Sequence, residues 1–356
     1  MGRLLPIGVL LMLLLAPAAS ACETEVARLI DGEAPSPEGL SPAKDAAIRE
    51  ATTIAEFGQE TARWMLWRVL MGEEFTEAEI ADEIDRSMIR NGSNPIWPSF
   101  ETIVASGPNG AIPHGDPEHH GAGPRIVQPG DVVVVDLGAR VQDWVSDVTR
   151  SYVIGGTDNE TIIDAYMTVH DAQNLTFPLI ESGTPAWVLD DVARTYIEEK
   201  GYGEYFIHSL GHGFGVCVHE PPLLSSGLDE PLFGLNFNNE PLTPIDAITI
   251  EPGIYIEDWF GIRIEDDYLV DVDGHEPLTE DLPRDLDWFM IMEDDYPALP
   301  QHTAGMDDDD GGDGVLETVP LPFGLVETLT IACVVAVLIP RKEEPEFAQG
   351  GAGTKC

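Results

Sequence analysis

The chain has 356 residues, 43% of them hydrophobic, which is enough for a sizeable core in one large domain or two small ones. Its 18 basic and 64 acidic residues give a formal net charge of −46. A surface this acidic repels nucleic acid and anionic lipid headgroups, and it resembles surfaces that work in high salt, where screening removes self-repulsion.

Residues 1–21, MGRLLPIGVLLMLLLAPAASA, combine one Arg, an apolar run and the small residues Ala19-Ser20-Ala21, the pattern of a secretory signal peptide. Cys22 follows directly, as at a lipobox, although Ala19 stands where Leu is usual. Lipidation of Cys22 and ordinary cleavage after Ala21 are both open. Residues 22–40 read as a Pro- and Gly-rich linker.

A helix is expected over 41–70, where Ile48, Ala51, Ala55, Ala62, Met65 and Val69 form one apolar stripe. Thr76 and Glu79 form a capping box for a second helix with Ile80, Ile84 and Met88 inward, stopped at Asn91-Gly92. Strand-like runs follow at 102–105, 131–137 and 145–154. Residues 160–181 look helical. Thr184 reads as a cap with Pro185 at the first position of a helix ending near Lys200. From Phe206 to Val272 the pattern is strand and turn. The order implies an α+β domain over 41–292.

Residues 293–318 contain MDDDDGGDG and read as an acidic linker. Leu321 to Ile339, interrupted by Glu327, approaches the roughly 20 residues that span a bilayer. Arg341 and Lys342 follow, as expected for a cytoplasmic end. A C-terminal transmembrane or sorting segment over 319–340 and a tail over 341–356 are therefore expected, with the chain exported and held at the outer face of the cell membrane. Of the four cysteines only Cys217 falls in the domain, so no disulfide framework is expected there, and Cys217 reads as a small packed strand residue.

Five potential metal ligands stand in the domain: Asp136, Asp147, His212, Glu251 and Glu265. Asp136 ends a four-valine strand and Asp147 begins the next, so their carboxylates can meet across neighbours. An inward carboxylate in such a strand is costly unless paired or ligated. His212 lies between Gly211 and Gly213, which permit close backbone approach. Glu251 follows the strand at 247–250, and Glu265 sits in an alternating segment beside Arg263. One histidine with four carboxylates is a hard, oxygen-rich set suited to two divalent cations. His119 and His120 read as a solvated loop, and the sequons at Asn91, Asn159 and Asn174 carry little weight.

FETIVASGPNGAIPHG, DVVVVDLGARVQDWVSDVTRSY, HSLGHGFGVCVHEPP, TIEPGIY and GIRIEDDYLV together resemble the M24 metallopeptidases, the "pita-bread" family of methionine aminopeptidase, aminopeptidase P and prolidase, over residues 41–285. That resemblance implies a curved, mostly antiparallel sheet flanked by helices. It implies Asp147 and Glu265 bridging two divalent metal ions (Mn, Co, Zn or Fe), Asp136 completing one site, and His212 with Glu251 completing the other. It makes Glu251 the proton acceptor. His114 and His219 become catalytic histidines that stabilise the tetrahedral intermediate. His208 and Arg263 match substrate-side or supporting groups of the proline-directed branch, which cleaves Xaa-Pro bonds at a free N-terminus. Homodimers occur in that branch. Metal-free relatives such as creatinase have lost ligands, and none is lost here.

The proline-directed relatives usually carry an N-terminal domain that helps restrict the substrate. Residues 22–40 are too short to form one, which opens two other readings. One is a general M24 aminopeptidase without proline preference. The other is a non-catalytic peptide-binding module on the same fold.

Overall fold

A computed structural model describes residues 41–226 and 241–296. Ser41 opens helix α1 (Pro42–Leu70), its hydroxyl accepting from the Lys44 amide at 3.3 Å. Every residue of the expected apolar stripe is buried. Helix α2 (Glu77–Arg90) starts from the Thr76–Glu79 capping box, which satisfies two otherwise orphaned amides. It stops at Asn91 and Gly92, the latter at φ 116°.

Strands β1 (Ile103–Ser106), β2 (Val132–Leu137) and β5 (Val148–Ile154) follow. The third begins later than predicted, because β3 (Arg140–Val141) and β4 (Trp144–Val145) close their own small hairpin. With β13 (Met290–Ile291) they form a sheet of order β1-β2-β5-β13, antiparallel except where β13 runs parallel to β5. All six residues of β2 are buried, which accounts for its run of four valines.

Helix α3 (Glu160–Thr176) is capped by Asn159, and helix α4 (Ala186–Glu199) follows. Thr184 does not cap α4. Its carbonyl accepts the Leu242 amide at 2.8 Å, and Pro185 occupies the cap position. The second half then lays down β6 (Gly211–Gly213), β7 (Glu220–Leu224), β8 (Ala247–Ile250), β9 (Gly253–Ile256), β10 (Phe260–Arg263), β11 (Asp266–Asp271) and β12 (Gly274–Pro277). Five of them make an antiparallel sheet of order β12-β11-β8-β6-β7, and β9 pairs with β10.

A helix pair followed by antiparallel strands thus occurs twice. One core packs α1 and α2 against β2 and β5. The other packs α3 and α4 against β8, β9, β10 and β11. Each half supplies acids at matching places. Asp136 lies near the end of β2 and Asp147 just before its partner β5; Glu251 lies just after β8 and Glu265 just before its partner β11.

Residues 293–296 pack onto α1: Arg63 Nη2 lies 2.6 Å from Asp295, and the Trp67 and Tyr296 rings are 5.4 Å apart. The segments expected at 1–21, 22–40, 319–340 and 341–356 lie outside the described residues. Among the described residues no helix is long and apolar enough to cross a membrane.

Candidate metal centre

The five sequence-derived ligands converge between the two halves. Ligand atoms of Asp147, His212 and Glu265 lie within 4.8 Å of one another, and all three residues are buried. His212 Nε2 is 3.7 Å from Asp147 Oδ2 and 3.3 Å from Glu251 Oε1. Asp136 is also buried. Its Oδ2 accepts from Arg263 Nη2 at 2.7 Å, and its Oδ1 is buried with no hydrogen-bond partner.

Local backbone explains how these side chains meet. His212 sits at a register shift in β6, and its amide donates to the Thr249 hydroxyl at 3.1 Å. A bulge of this kind re-aims a side chain that a regular ladder would direct elsewhere. A Cβ on Gly211 would come within 2.1 Å of the Thr249 carbonyl oxygen, and one on Gly213 within 2.2 Å of the Pro221 carbonyl oxygen. The two glycines therefore let β6 approach both neighbours.

Electrostatically the cluster is overloaded with negative charge. Burial, then Glu265, Asp136 and Glu251, push the Asp147 carboxyl well above its usual range. Burial, Glu251 and Asp136 do the same to Glu265. Burial would also raise Glu251, but the His212 hydrogen bond and nearby cationic groups outweigh it and hold Glu251 low. Crowded, buried carboxylates with one orphaned oxygen are what a divalent cation relieves, so the residues present fit a metal centre.

Arg263 is the cation built into the site. Nε donates to the Thr149 hydroxyl at 2.9 Å, Nη1 to the Pro113 carbonyl at 2.9 Å and to the Tyr255 hydroxyl at 2.8 Å, and Nη2 to Asp136. It is 2% exposed. Of the two roles open to Arg263, substrate-side or supporting, these bonds fit the supporting one: its donors are turned to the protein, and it orients Asp136, Thr149 and Tyr255.

The three histidines border the cluster. The His219 ring stands edge-on to His212 with centroids 4.4 Å apart, and its outer side is exposed. Close protein around the inner side, then His212, lowers its pKa. His114 is exposed at the rim beside Pro113, and desolvation by its neighbours, then Arg263, lowers its pKa. His208 is half-buried, with Nδ1 2.7 Å from the Ser209 carbonyl and Nε2 3.0 Å from the Tyr255 hydroxyl. Tyr255 accepts from Arg263, so its proton goes to His208 Nε2, and Nδ1–H donates to Ser209. Burial pulls the His208 pKa down to about 4, consistent with this neutral form.

Four supporting residues were not singled out by the motifs. Thr149 donates to Glu265 Oε2 at 2.6 Å while accepting from Arg263. Tyr255 joins Arg263 to His208. Thr249 holds the His212 amide. Asp267 accepts the Asp147 amide at 3.2 Å. The signal available for two of them was strand alternation, which puts Thr149 on the face of Asp147 and Thr249 on that of Glu251. Cys217 is buried as its reading expects, but in the bend between β6 and β7 and not within a strand. His119 and His120 are exposed, paired with Asp116 and Glu101.

A sequence profile of metallopeptidase family M24 matches residues 46–271. The chain belongs to that family. It is 40% identical over 212 residues to the Xaa-Pro dipeptidase of Pyrococcus furiosus, covering 58% of this chain and 56% of that one. Identity to the Pyrococcus horikoshii Xaa-Pro dipeptidase is 41% over 212 residues, covering 58% of this chain and 55% of that one. Among solved structures, an X-Pro aminopeptidase from Thermotoga maritima superposes with a TM-score of 0.60 at 36% identity, covering 71% of this chain and 64% of that one. The Pyrococcus furiosus prolidase gives 0.58 at 36%, covering 68% and 65%. The chain spans about half the length of the curated relatives it matches. Its fold is the pita-bread fold of the M24 family, a family of metallopeptidases.

Proposed function

We propose that this chain is a dinuclear-metal peptidase that removes the N-terminal residue from peptides at Xaa-Pro bonds. The observation that carries the reading is the convergence of Asp147, His212 and Glu265 within 4.8 Å, with the orphaned Asp136 oxygen and Glu251 beside them. The proline preference draws support from the Xaa-Pro dipeptidases and X-Pro aminopeptidase among its relatives.

Asp136, Asp147, His212, Glu251 and Glu265 would hold the cations. Divalent ions bound there would lower the pKa of a shared water and polarise the scissile carbonyl. Glu251, held low beside His212, accepts the proton of the attacking water and passes it toward the leaving nitrogen. His219 and His114, at the open rim, donate to the oxygen that gains charge as the carbonyl becomes tetrahedral. Arg263 and Thr149 keep Asp136 and Glu265 in place. His208, fixed between Ser209 and Tyr255, shapes the substrate side.

The same proposal places the enzyme outside the cell, anchored through 319–340 and, where lipidated, Cys22. Its support is the signal-like run 1–21 and the apolar stretch ahead of Arg341 and Lys342. Cell fractionation with a tagged chain tests it: recovery in the cytosol would overturn it.

The activity test compares Xaa-Pro with matched Xaa-Ala peptides, using full-length protein loaded with Mn²⁺, Co²⁺ or Zn²⁺ in high salt, beside an Asp147→Ala control. Metal-dependent release of the first residue from Xaa-Pro alone is the expected result. Equal cleavage of both would make it a general aminopeptidase. No cleavage by folded, metal-loaded protein would make it a binding module.

A further inference from the structure

A second arginine beside the ligands, Arg150 of β5, is fully buried. Its Nη1 donates to the Thr149 carbonyl at 2.9 Å and to the Glu265 carbonyl at 2.6 Å. Nη2 donates to Asp266 Oδ1 at 2.6 Å and to the Leu282 carbonyl at 3.0 Å, and Nε to the Pro283 carbonyl at 2.9 Å. Asp266 carries the network onward. Its Oδ1 also accepts from the Thr279 hydroxyl at 2.6 Å, and its Oδ2 from Gln173 Nε2 of α3 at 2.8 Å. Gln173 Nε2 also donates to the Ile250 carbonyl at 3.0 Å, while its Oε1 accepts from Arg284 Nη1 at 2.8 Å. Arg150, Gln173, Asp266 and Thr279 are each 3% exposed or less.

These bonds grip the main chain that carries two of the candidate ligands. The Glu265 amide donates to the Thr149 carbonyl at 3.1 Å, so with Arg150 on the Glu265 carbonyl both peptide groups flanking that residue are held. The Ile250 carbonyl belongs to the peptide leading into Glu251. Gln173 holds its oxygen, and its amide donates to the Leu210 carbonyl at 2.8 Å. A metal site needs its ligands within about 0.5 Å of their working positions, and main chain bonded on both sides has little freedom to drift.

The far end of the network is the segment 278–285, between β12 and the short helix Leu286–Phe289. It supplies the Thr279 hydroxyl, the Leu282 and Pro283 carbonyls and the Arg284 guanidinium. Only a planar fork joins these carbonyls, those of Thr149 and Glu265, and a carboxylate at one point; an ammonium has too few donors and no fixed geometry.

Resting on the metal-centre reading above, we infer that the Arg150–Asp266–Gln173 network positions Glu265 and Glu251, and that the seating of segment 278–285 on it sets how tightly the centre holds its ions. Arg150 is then a positioning residue, acting through the ligand backbone. Such coupling is reciprocal: ions at the ligands must also favour the seated segment.

The test uses full-length protein and Mn²⁺ alone, read by metal titration and by hydrogen exchange over 278–285. Thr279→Val removes one donor to Asp266 and keeps the shape. It should weaken Mn²⁺ binding by about tenfold, the low end for loss of a group that supports a ligand, and Thr279→Ser should restore it. Arg150→Lys keeps the charge but not the fork and should weaken binding by about 10–100-fold; if it does not fold, Thr279→Val decides. In the parent, Mn²⁺ should slow exchange over 278–285, and Thr279→Val should blunt that protection. Thr61→Val, which breaks a 2.8 Å bond to Ser87 between α1 and α2, should lower stability without moving the Mn²⁺ titration. Parent-like Mn²⁺ affinity in folded Thr279→Val, or exchange over 278–285 indifferent to Mn²⁺, overturns the inference and leaves the metal centre standing. A parent that binds no Mn²⁺ would instead remove the metal-centre reading, and this inference with it.

Discussion

Arg263 and Asp136 form a buried pair across 2.7 Å, and the pairing occupies only one of the two carboxylate oxygens. The guanidinium thereby fixes the carboxylate and leaves its other oxygen available to a cation. Lysine keeps the charge but cannot reproduce the fork that also reaches Thr149, Pro113 and Tyr255. Arg263→Lys should therefore lower metal affinity and kcat by about 10–100-fold, the range found when a group supporting a ligand is lost. Metal titration beside steady-state kinetics checks this. An unchanged metal affinity with a raised KM alone would assign Arg263 the substrate-contact role instead.

Metal removal should make stability depend on pH in a particular direction. Asp147, Glu265 and Asp267 have carboxyl pKa values raised in the folded chain. Between the ordinary carboxylate value of about 4 and those raised values, the folded state binds more protons than the unfolded state. Stability of the metal-free chain from this source is therefore lost as pH rises through that window. Bound cations remove the repulsion, so the gap in Tm between metal-loaded and chelator-treated protein should widen from about pH 5 to about pH 8. Thermal scans of both forms at constant ionic strength measure it. A gap that narrows with rising pH would contradict the charge-crowding account.

Thr149 is a small residue with two obligations, accepting from Arg263 and donating to Glu265. Thr149→Val conserves shape but leaves a buried guanidinium donor and a carboxylate oxygen unpaired, at about 1–3 kcal/mol. Thr149→Ser keeps the hydroxyl and should restore most of the stability and metal affinity. Denaturant unfolding of the two variants with and without Mn²⁺ separates them. Equal behaviour of Val and Ser would show that the methyl, not the hydroxyl, matters.

The four candidate acid ligands were legible because each stands at the boundary of a buried strand, where an acid is otherwise unfavourable, and His212 because two glycines flank it. Helices α1 and α2 were legible because stripe, cap and stop agree. The supporting shell was not. Thr149 and Tyr255 are ordinary strand formers, and nothing local distinguishes a hydroxyl that serves a ligand from one that merely fills a face. Arg263 meets Asp136 across 127 residues of chain. Its neighbour Glu265 implied proximity to the site, but not that the guanidinium faces the protein instead of the substrate. Thr184 failed as a cap because pairing with Leu242, a tertiary contact, claimed its backbone.

Gly211 offers a steric test of how His212 is placed. Its backbone φ is not in the left-handed region, so the requirement for glycine here is space, not conformation. A Cβ added there would stand 2.1 Å from the Thr249 carbonyl oxygen, far inside van der Waals contact, and backbone cannot swing aside as a side chain does. Gly211→Ala must push β6 away from the Thr249–Glu251 segment. That breaks the His212 amide bond to Thr249 and lengthens the 3.3 Å approach of His212 to Glu251. Forced overpacking of this kind costs about 1–3 kcal/mol. The stability loss alone would not be diagnostic, because Gly58→Ala, against flexible Leu137 and Met88 side chains at 3.1–3.2 Å, should be milder yet also destabilising. The distinguishing readout is metal stoichiometry. Gly211→Ala should bind fewer ions per chain at a given free Mn²⁺ concentration, while Gly58→Ala should bind as the parent does. Parent-like stoichiometry in both would mean that β6 can yield without moving His212 from the centre.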